Sequence, residues 1–277
     1  MPVIALTQGM GSLAQDIAEQ LAQELGLTTL QHEVAERVAH KMNVPKSLIS
    51  RLRAGKAGPI ERLTADRDSM AVYSAEEVLE SAARGNVVLR GWGATCLLRP
   101  VPHVPCVRIL RPFAKRVQWL MGELGTDDIE LAENEIRRSD HANASRMHEQ
   151  FGVDWGEPVL FDLVLNTDRL SVATCVAQIA ALVARPEFAQ TAASQALLNG
   201  MALSARVRSA LKANDETQDV DVTIDSADDR VVLRGIVVKA TERDAAEAVA
   251  AAVAGVGRVD NQLRVMASSR LFAAAKH

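Results

Sequence analysis

The sequence predicts an α/β fold, a parallel sheet with helices on both faces, followed by a second and smaller α+β unit. Three observations predict it. Short apolar runs alternate with amphipathic helical stretches up to about residue 184, the pattern of a parallel sheet covered on both sides. The first apolar run leads straight into a glycine-containing turn and an alanine-rich helix, and in open α/β sheets ligands bind at such turns, beyond the carboxyl ends of the strands. Near residue 186 the alternation gives way to RPEFAQTAASQALLNG, whose proline and small polar residues suit a linker. A chain of 277 residues, 48% of them hydrophobic, is long enough for one good core and a smaller second one. The expected boundaries are 1–185 for the first unit, 186–200 for the linker, 201–268 for the second unit and 269–277 for a tail.

Val3–Leu6 reads as a short buried strand, and Leu13, Ile17, Leu21 and Leu25 recur every fourth residue to make a helix stripe that Gly26 closes. Helical patterns at 31–42 and 74–84 flank RLRAGKAGPIERLTADRD, whose Gly, Pro and five Arg or Lys residues predict an exposed, mobile segment. Asn86–Leu89, Val104–Leu110 and Phe161–Leu165 read as further buried strands, and Pro112–Leu124, Asp127–Arg146 and Ser171–Ala184 as helices. In the second unit Leu203, Val207 and Leu211 mark a helix, and VDVTID and RVVLRGIV alternate as paired strands around SADD. Ala245–Val253 is a helix ended by Gly255, and RVDNQLRV closes the unit as a strand.

Composition removes several function classes. A formal charge of −4 gives no general attraction for a polyanion, so nucleic acid is not an expected partner. Cys96, Cys106 and Cys175 lie in apolar sequence without CxxC spacing, which favours reduced core residues over a disulfide or a metal site. The start MPVIALTQ lacks a basic n-region, and no run stays apolar for the ~18 residues of a membrane span, so a cytoplasmic protein with no transmembrane segment is expected. His32, Glu36 and His40 share a helix face, but three ligands spread over two turns diverge, and a solvated polar face is the better reading. Asp127, Asp128 and Glu130 suit the first turn of a helix, and no nucleophile-elbow context supports hydrolase chemistry.

The stretch TQGMGSLAQD, Thr7–Asp16, has the layout of a phosphate loop. Together with VVLRGWGATCLLR, VRILRPFAKRV and WGEPVLFDLVLNTDRLSVATCVAQI, it makes residues 1–184 resemble the cytidylate-kinase-like family of P-loop proteins, among the nucleoside monophosphate kinases. Residues 203–266 resemble the BON domain through VVLRGIV, with Gly235, and AVAGVGRVDNQLRV. The first resemblance implies ATP and Mg²⁺ as cofactors and a nucleotide such as CMP or dCMP as acceptor. The second implies a protein partner or a phospholipid.

The chemistry of the loop departs from this pattern. A working P-loop surrounds the β-phosphate with backbone N–H groups, neutralises charge with a lysine and holds Mg²⁺ with a hydroxyl. Here Gly11 takes one glycine position, but Leu13 stands where another glycine is expected, Ala14 where the lysine falls and Asp16 near the hydroxyl position. Relatives that read GSGGR already lack the lysine; this chain reads GSLAQ and lacks the arginine too. The resemblance assigns phosphate or nucleotide binding to Gly11 and Ser12 in the loop, Arg90 after the middle strand, Arg116 where the lid begins and Arg138 in the lid, and it assigns no catalytic residue or metal ligand. The lid keeps Asp140 but has Asn143 at the next arginine position, with Arg146 as a substitute one turn later. Two classes of function follow. The favoured one is a pseudoenzyme, a non-catalytic or weakly active nucleotide-binding platform whose BON-like unit recruits a partner. The alternative is an active kinase transferring phosphate from ATP to CMP or dCMP.

Overall fold

The computed structural model describes residues 1–30 and 32–266; the expected tail, 269–277, lies outside the described residues. The chain divides into two units, Met1–Leu198 and Asn199–His277.

The first unit is built on five parallel strands, β1 (Val3–Gln8), β2 (Thr28–Leu30), β3 (Val87–Arg90), β4 (Cys106–Leu110) and β5 (Leu163–Asn166), in the order β2-β3-β1-β4-β5. Register pairs Leu6 with Arg90 and Thr7 with Arg108, so the carboxyl ends of β1, β3 and β4 open on the same side. Helices α1 (Ala14–Leu25), α2 (His32–Lys41), α3 (Lys46–Arg53), α4 (Pro59–Thr64), α5 (Arg67–Arg84) and α6 (Ala94–Leu97) precede β4. Helices α7 (Phe113–Leu124), α8 (Ile129–Phe151) and α9 (Val172–Val183) follow it. The stripe read from the sequence is the one that packs: Ile17 and Leu21 of α1 join Ile4, Leu6, Val88, Val107 and Ile109 of the sheet and Cys175, Val176 and Ile179 of α9. At about 1.5–3 kcal/mol for each large apolar side chain fully buried, this cluster is the main source of the unit's stability.

Two departures from expectation have local causes. The segment RLRAGKAGPIERLTADRD, expected to be mobile, is ordered into the end of α3, all of α4 and the start of α5. Its own side chains return to its backbone: Gly58 N–H donates to Glu61 Oε2 at 2.9 Å, and Arg62 donates to the carbonyls of Ala57 and Gly55 at 2.8 and 2.7 Å. Helix α5 begins at Arg67, earlier than expected, because Asp66 caps it, Oδ1 accepting from Ser69 N–H at 2.9 Å.

The second unit packs α11 (Ala240–Ala251) and the part of α10 (Ala192–Lys212) from Asn199 onward on one face of β6 (Val222–Ala227), β7 (Arg230–Val237) and β8 (Arg258–Val265). Strand order is β6-β7-β8, the first pair antiparallel and the second parallel. Leu203, Val207 and Leu211 face Val231, Leu233 and Val237, with Ala246 and Ala250 closing the core. Residues 186–200, expected as a linker, hold a 3-10 turn, Pro186–Phe188, and the start of α10. The cap explains this: Ser194 N–H donates to Thr191 Oγ1 at 3.1 Å and the run that follows is rich in alanine and leucine. No helix among the described residues is long and apolar enough to cross a membrane.

Candidate functional site

A cleft of about 550 Å³ opens at the carboxyl ends of β1 and β3, walled by the loop after β1, α3, the turn after β3, α7 and α8. All three tryptophans of the chain, Trp92, Trp119 and Trp155, line it. Its two ends differ in charge.

At the loop end the backbone keeps the shape of a phosphate loop while the side chains depart from its chemistry. Gly11 (φ 77°) and Leu13 (φ 61°) both adopt the left-handed conformation, and Leu13 stands immediately before α1. For a leucine that conformation costs roughly 1–2 kcal/mol. The surrounding structure enforces it: the Thr167 hydroxyl lies 3.0 Å from the Ser12 carbonyl oxygen, and Arg111 Nη1 donates to the Gly11 carbonyl at 3.4 Å. Ser12 Oγ and Gln8 Oε1 are buried with no hydrogen-bond partner among the described residues, an arrangement that leaves polar capacity for a ligand. The charges nearby are of the wrong sign for a polyphosphate, since the lining contributes Asp16 and Glu123.

The other end gathers cations. Arg90 ends β3 and donates from Nη2 to Gln15 Oε1 at 3.5 Å, and the turn Gly91–Trp92–Gly93 that follows has φ of 78°, 59° and 71°. Arg53, the last residue of α3, places its guanidinium 3.4 Å from the centre of the Trp92 ring. Arg146, from α8, donates to Asn143 Oδ1 at 3.1 Å and to the Arg53 carbonyl at 2.6 Å. Burial holds the Arg53 guanidinium well below its ordinary basicity, and the charges of Arg146 and Arg90 lower it further. Burial also lowers Arg146 and Arg90, offset for Arg146 by Glu149 and for Arg90 by Glu19 and Asp16. Among the described residues, no carboxylate forms an ion pair with any of the three. Like charges held together in a cleft mark a candidate site for an anion.

Of the residues read from the sequence, Gly11, Ser12 and Arg90 line this cleft. Arg116 stands beside it, paired with Asp140. Arg138 is bound to Glu135, which also takes Lys56 at 2.8 Å, and is not among the residues lining the cleft. Arg53 was missed because it lies in the segment expected to be mobile; the short amphipathic run KSLISRLR was the available signal. Asn143 and Arg146 both line the cleft, so the arginine one turn beyond the expected position reaches the site. Trp155, from the WGEP stretch, is fixed by its indole N–H to Thr7 Oγ1 at 3.0 Å, with the Arg108 guanidinium 4.5 Å from the ring centre.

A parallel five-stranded sheet with a glycine-containing loop between its central strand and first helix defines the class of P-loop kinase-like proteins. Residues 3–169 match the profile of the Cytidylate kinase-like family and residues 201–267 that of the BON domain. The chain therefore belongs to the cytidylate kinase-like family and carries a BON domain after it. A cytidylate kinase from Pyrobaculum aerophilum is 29% identical over 177 residues, 62% of this chain and 87% of that protein. One from Staphylothermus marinus is 25% identical over 150 residues, 53% of this chain and 84% of that protein. Among solved structures, an uncharacterized protein from Eubacterium ventriosum superposes with a TM-score of 0.52 at 18% identity, covering 66% of this chain and 97% of that one, which speaks to the fold.

The second unit leaves one face of its sheet uncovered by its helices. Arg230 pairs there with Asp260 and Arg234 with Asp225, while Ile236 and Val238, each 64% exposed, stand beyond these pairs.

Proposed function

We propose that this protein is a nucleotide-binding regulatory platform. It holds a nucleoside monophosphate in the cleft, the phosphate on Arg53, Arg90 and Arg146, and transfers phosphate from ATP slowly or not at all. One observation carries the reading: the cations that line the cleft, Arg53, Arg90 and Arg146, come from α3, β3 and α8, and the phosphate loop itself contributes none. Phosphoryl transfer requires positive charge around the moving group as well as a positioned acceptor. The residues present supply the second and not the first. ATP with Mg²⁺ fits poorly, since the loop Thr7–Asp16 carries no lysine or arginine of its own, while Asp16 and Glu123 add negative charge to the lining. The BON domain would then recruit a partner protein or a phospholipid surface through the uncovered sheet face, with Ile236 and Val238 as its apolar contacts.

Calorimetric titration with CMP, dCMP and Mg-ATP, followed by a phosphotransfer assay, tests the reading. It predicts binding of the monophosphates, weak or absent binding of Mg-ATP, and no turnover at an ordinary kinase rate. Turnover at such a rate would establish the other reading, an active (d)CMP kinase. Flotation of the full chain with anionic vesicles at low salt separates the two kinds of BON partner, cosedimentation favouring phospholipid and its absence favouring a protein.

A further inference from the structure

The indole of Trp155, half-buried where it lines the cleft, is held by two contacts. Its N–H donates to Thr7 Oγ1 at 3.0 Å, and the Arg108 guanidinium stands over one face of the ring, 4.5 Å from its centre. Register puts Thr7 of β1 beside Arg108 of β4, so two neighbouring strands fix one ring. Arg108 is only 8% exposed. It also meets the Phe161 ring at 5.2 Å and donates to the Trp155 carbonyl, and among the described residues no carboxylate forms an ion pair with it. Burial lowers its basicity, offset in part by Asp140 and Asp154. The turn that carries Trp155 is tied as well, Gly156 N–H donating to Asp154 Oδ1 at 2.8 Å and Glu157 N–H to the Asp154 carbonyl at 3.0 Å. A buried arginine without an ion pair costs the fold the desolvation of its charge, where an apolar side chain would pack against the same ring. With its one polar atom satisfied and one face covered, the indole offers the cleft a flat apolar surface.

We propose that this surface takes the base of the nucleotide: Trp155 is the stacking platform of the cleft, and Arg108 is the positioning residue behind it. The proposal rests on the reading above, from which it takes the phosphate on Arg53, Arg90 and Arg146. It adds that the site recognises an aromatic base joined to that phosphate, and not a phosphate or sugar phosphate alone. Arg90 ends β3 opposite Leu6, and Arg108 lies on β4 opposite Thr7, so the two arginines stand on strands either side of β1. Two strand spacings are about 10 Å, comparable to the span of a nucleoside 5′-monophosphate from its phosphate to the far edge of its base. Stacking on an aromatic ring is strong for any base, because every base has a π face. The cation behind the ring holds the indole in place before the ligand arrives, so less ordering is needed on binding.

Paired calorimetry of the full chain with CMP and with ribose 5-phosphate tests this. The unaltered protein should bind CMP at least about tenfold more tightly than ribose 5-phosphate, the scale of one base stacked on an aromatic side chain. Trp155→Leu should erase that margin, weakening CMP about tenfold while ribose 5-phosphate changes less than about twofold. Trp155→Phe, which keeps a π face, should restore part of the loss. Arg108→Met, which removes the cation and keeps an unbranched apolar side chain, should weaken CMP about threefold and leave ribose 5-phosphate unmoved. Equal losses for the two ligands in a folded Trp155→Leu protein overturn the proposal, since Trp155 would then only support the cleft. An unchanged CMP affinity in that variant also overturns it, and an unchanged CMP affinity in Arg108→Met overturns the role of Arg108. Should Trp155→Leu fail to fold, Trp92→Phe combined with Trp119→Phe leaves Trp155 as the single tryptophan of the chain. Its emission should then be quenched by saturating CMP and not by saturating ribose 5-phosphate, and the same response to both ligands overturns the proposal. Binding of neither ligand by the unaltered protein would sink the proposed function and this proposal together, whereas equal binding of both leaves the phosphate site standing and overturns the stacking alone.

Discussion

The two ends of the cleft are made from similar parts and hold charge in opposite ways. At the loop end, Arg116 and Asp140 neutralise one another against Gly9, and the nearby lining residues Asp16 and Glu123 are acidic. Around the turn after β3, Arg53, Arg90 and Arg146 converge with no ion-pairing carboxylate among the described residues, and burial together with mutual repulsion lowers the basicity of Arg53. A protein satisfied by its own contacts gains stability from pairing a buried charge and loses it by crowding like charges. Under the proposed function the paired charges beside the loop stabilise the fold, and the crowded arginines are kept at a cost to stability.

The largest expected effect falls where charge is unpaired. Arg53→Gln should weaken CMP binding about 100-fold, near 3 kcal/mol, because a charge-assisted contact in a half-buried site is lost. The urea midpoint should hold or rise, since the variant removes a like charge from beside Arg146 and Arg90. Calorimetry and denaturation on the same preparation check both halves. A loss under about threefold, or a large fall in stability, would make the arginine cluster structural and erase the contrast between the ends.

Glycine at the loop end should matter for stability instead. Gly11→Ala places a methyl group 2.8 Å from Trp119 Cε3 and 3.3 Å from the Arg116 backbone, at a residue with φ of 77°. A cost of about 2–3 kcal/mol in chemical denaturation is expected from overpacking added to left-handed strain. A cost below about 0.5 kcal/mol would mean that α7 leaves the loop easily and that the neutral end is open to ligands.

The contrast between the ends was only partly legible in the sequence. The parallel sheet was, because β1 and β3 begin as apolar runs, β4 is apolar but for Arg108, and the α1 stripe repeats every four residues. The loss of cation and hydroxyl in GSLAQ was legible as well, since it depends on residue identity alone. The arginine cluster was not, because Arg53, Arg90 and Arg146 come from α3, β3 and α8 and meet only through tertiary packing. Composition also misled at 51–68, where glycine, proline and charge suggested mobility, although Glu61 and Arg62 fold back on the backbone of Gly58, Ala57 and Gly55. The pairing of Arg116 with Asp140 was hidden for the same reason: the two lie on successive helices, and no local pattern says that they face one another.

Trp92 sharpens the comparison at an intermediate scale. Its ring carries the Arg53 guanidinium at 3.4 Å, and its own φ of 59° holds it between two left-handed glycines. A cation–π contact that restrains an otherwise repelled guanidinium is worth about 1–2 kcal/mol. Trp92→Leu should therefore weaken CMP about tenfold while leaving Arg90 and Arg146 in place. Trp92→Phe, which keeps a π face, should recover part of that loss, and equal losses in the two variants would assign Trp92 to packing alone.

Leu13 provides the smallest effect and separates the causes of idleness at the loop end. Leu13→Gly removes about 1–2 kcal/mol of left-handed strain. Against that gain stand about 1 kcal/mol of lost apolar burial and a further 0.5–1 kcal/mol from the freedom of glycine in the unfolded chain. The net change in stability should lie within about 1 kcal/mol of zero, in contrast to the cost of Gly11→Ala at the same kind of backbone angle. The substitution opens the loop toward the cleft that Leu13 lines but leaves Arg116 bound to Asp140. Mg-ATP affinity in Leu13→Gly alone should consequently stay within about threefold of the unaltered protein, less than 1 kcal/mol. Tight binding in that single variant would assign the cause to the side chain in the loop.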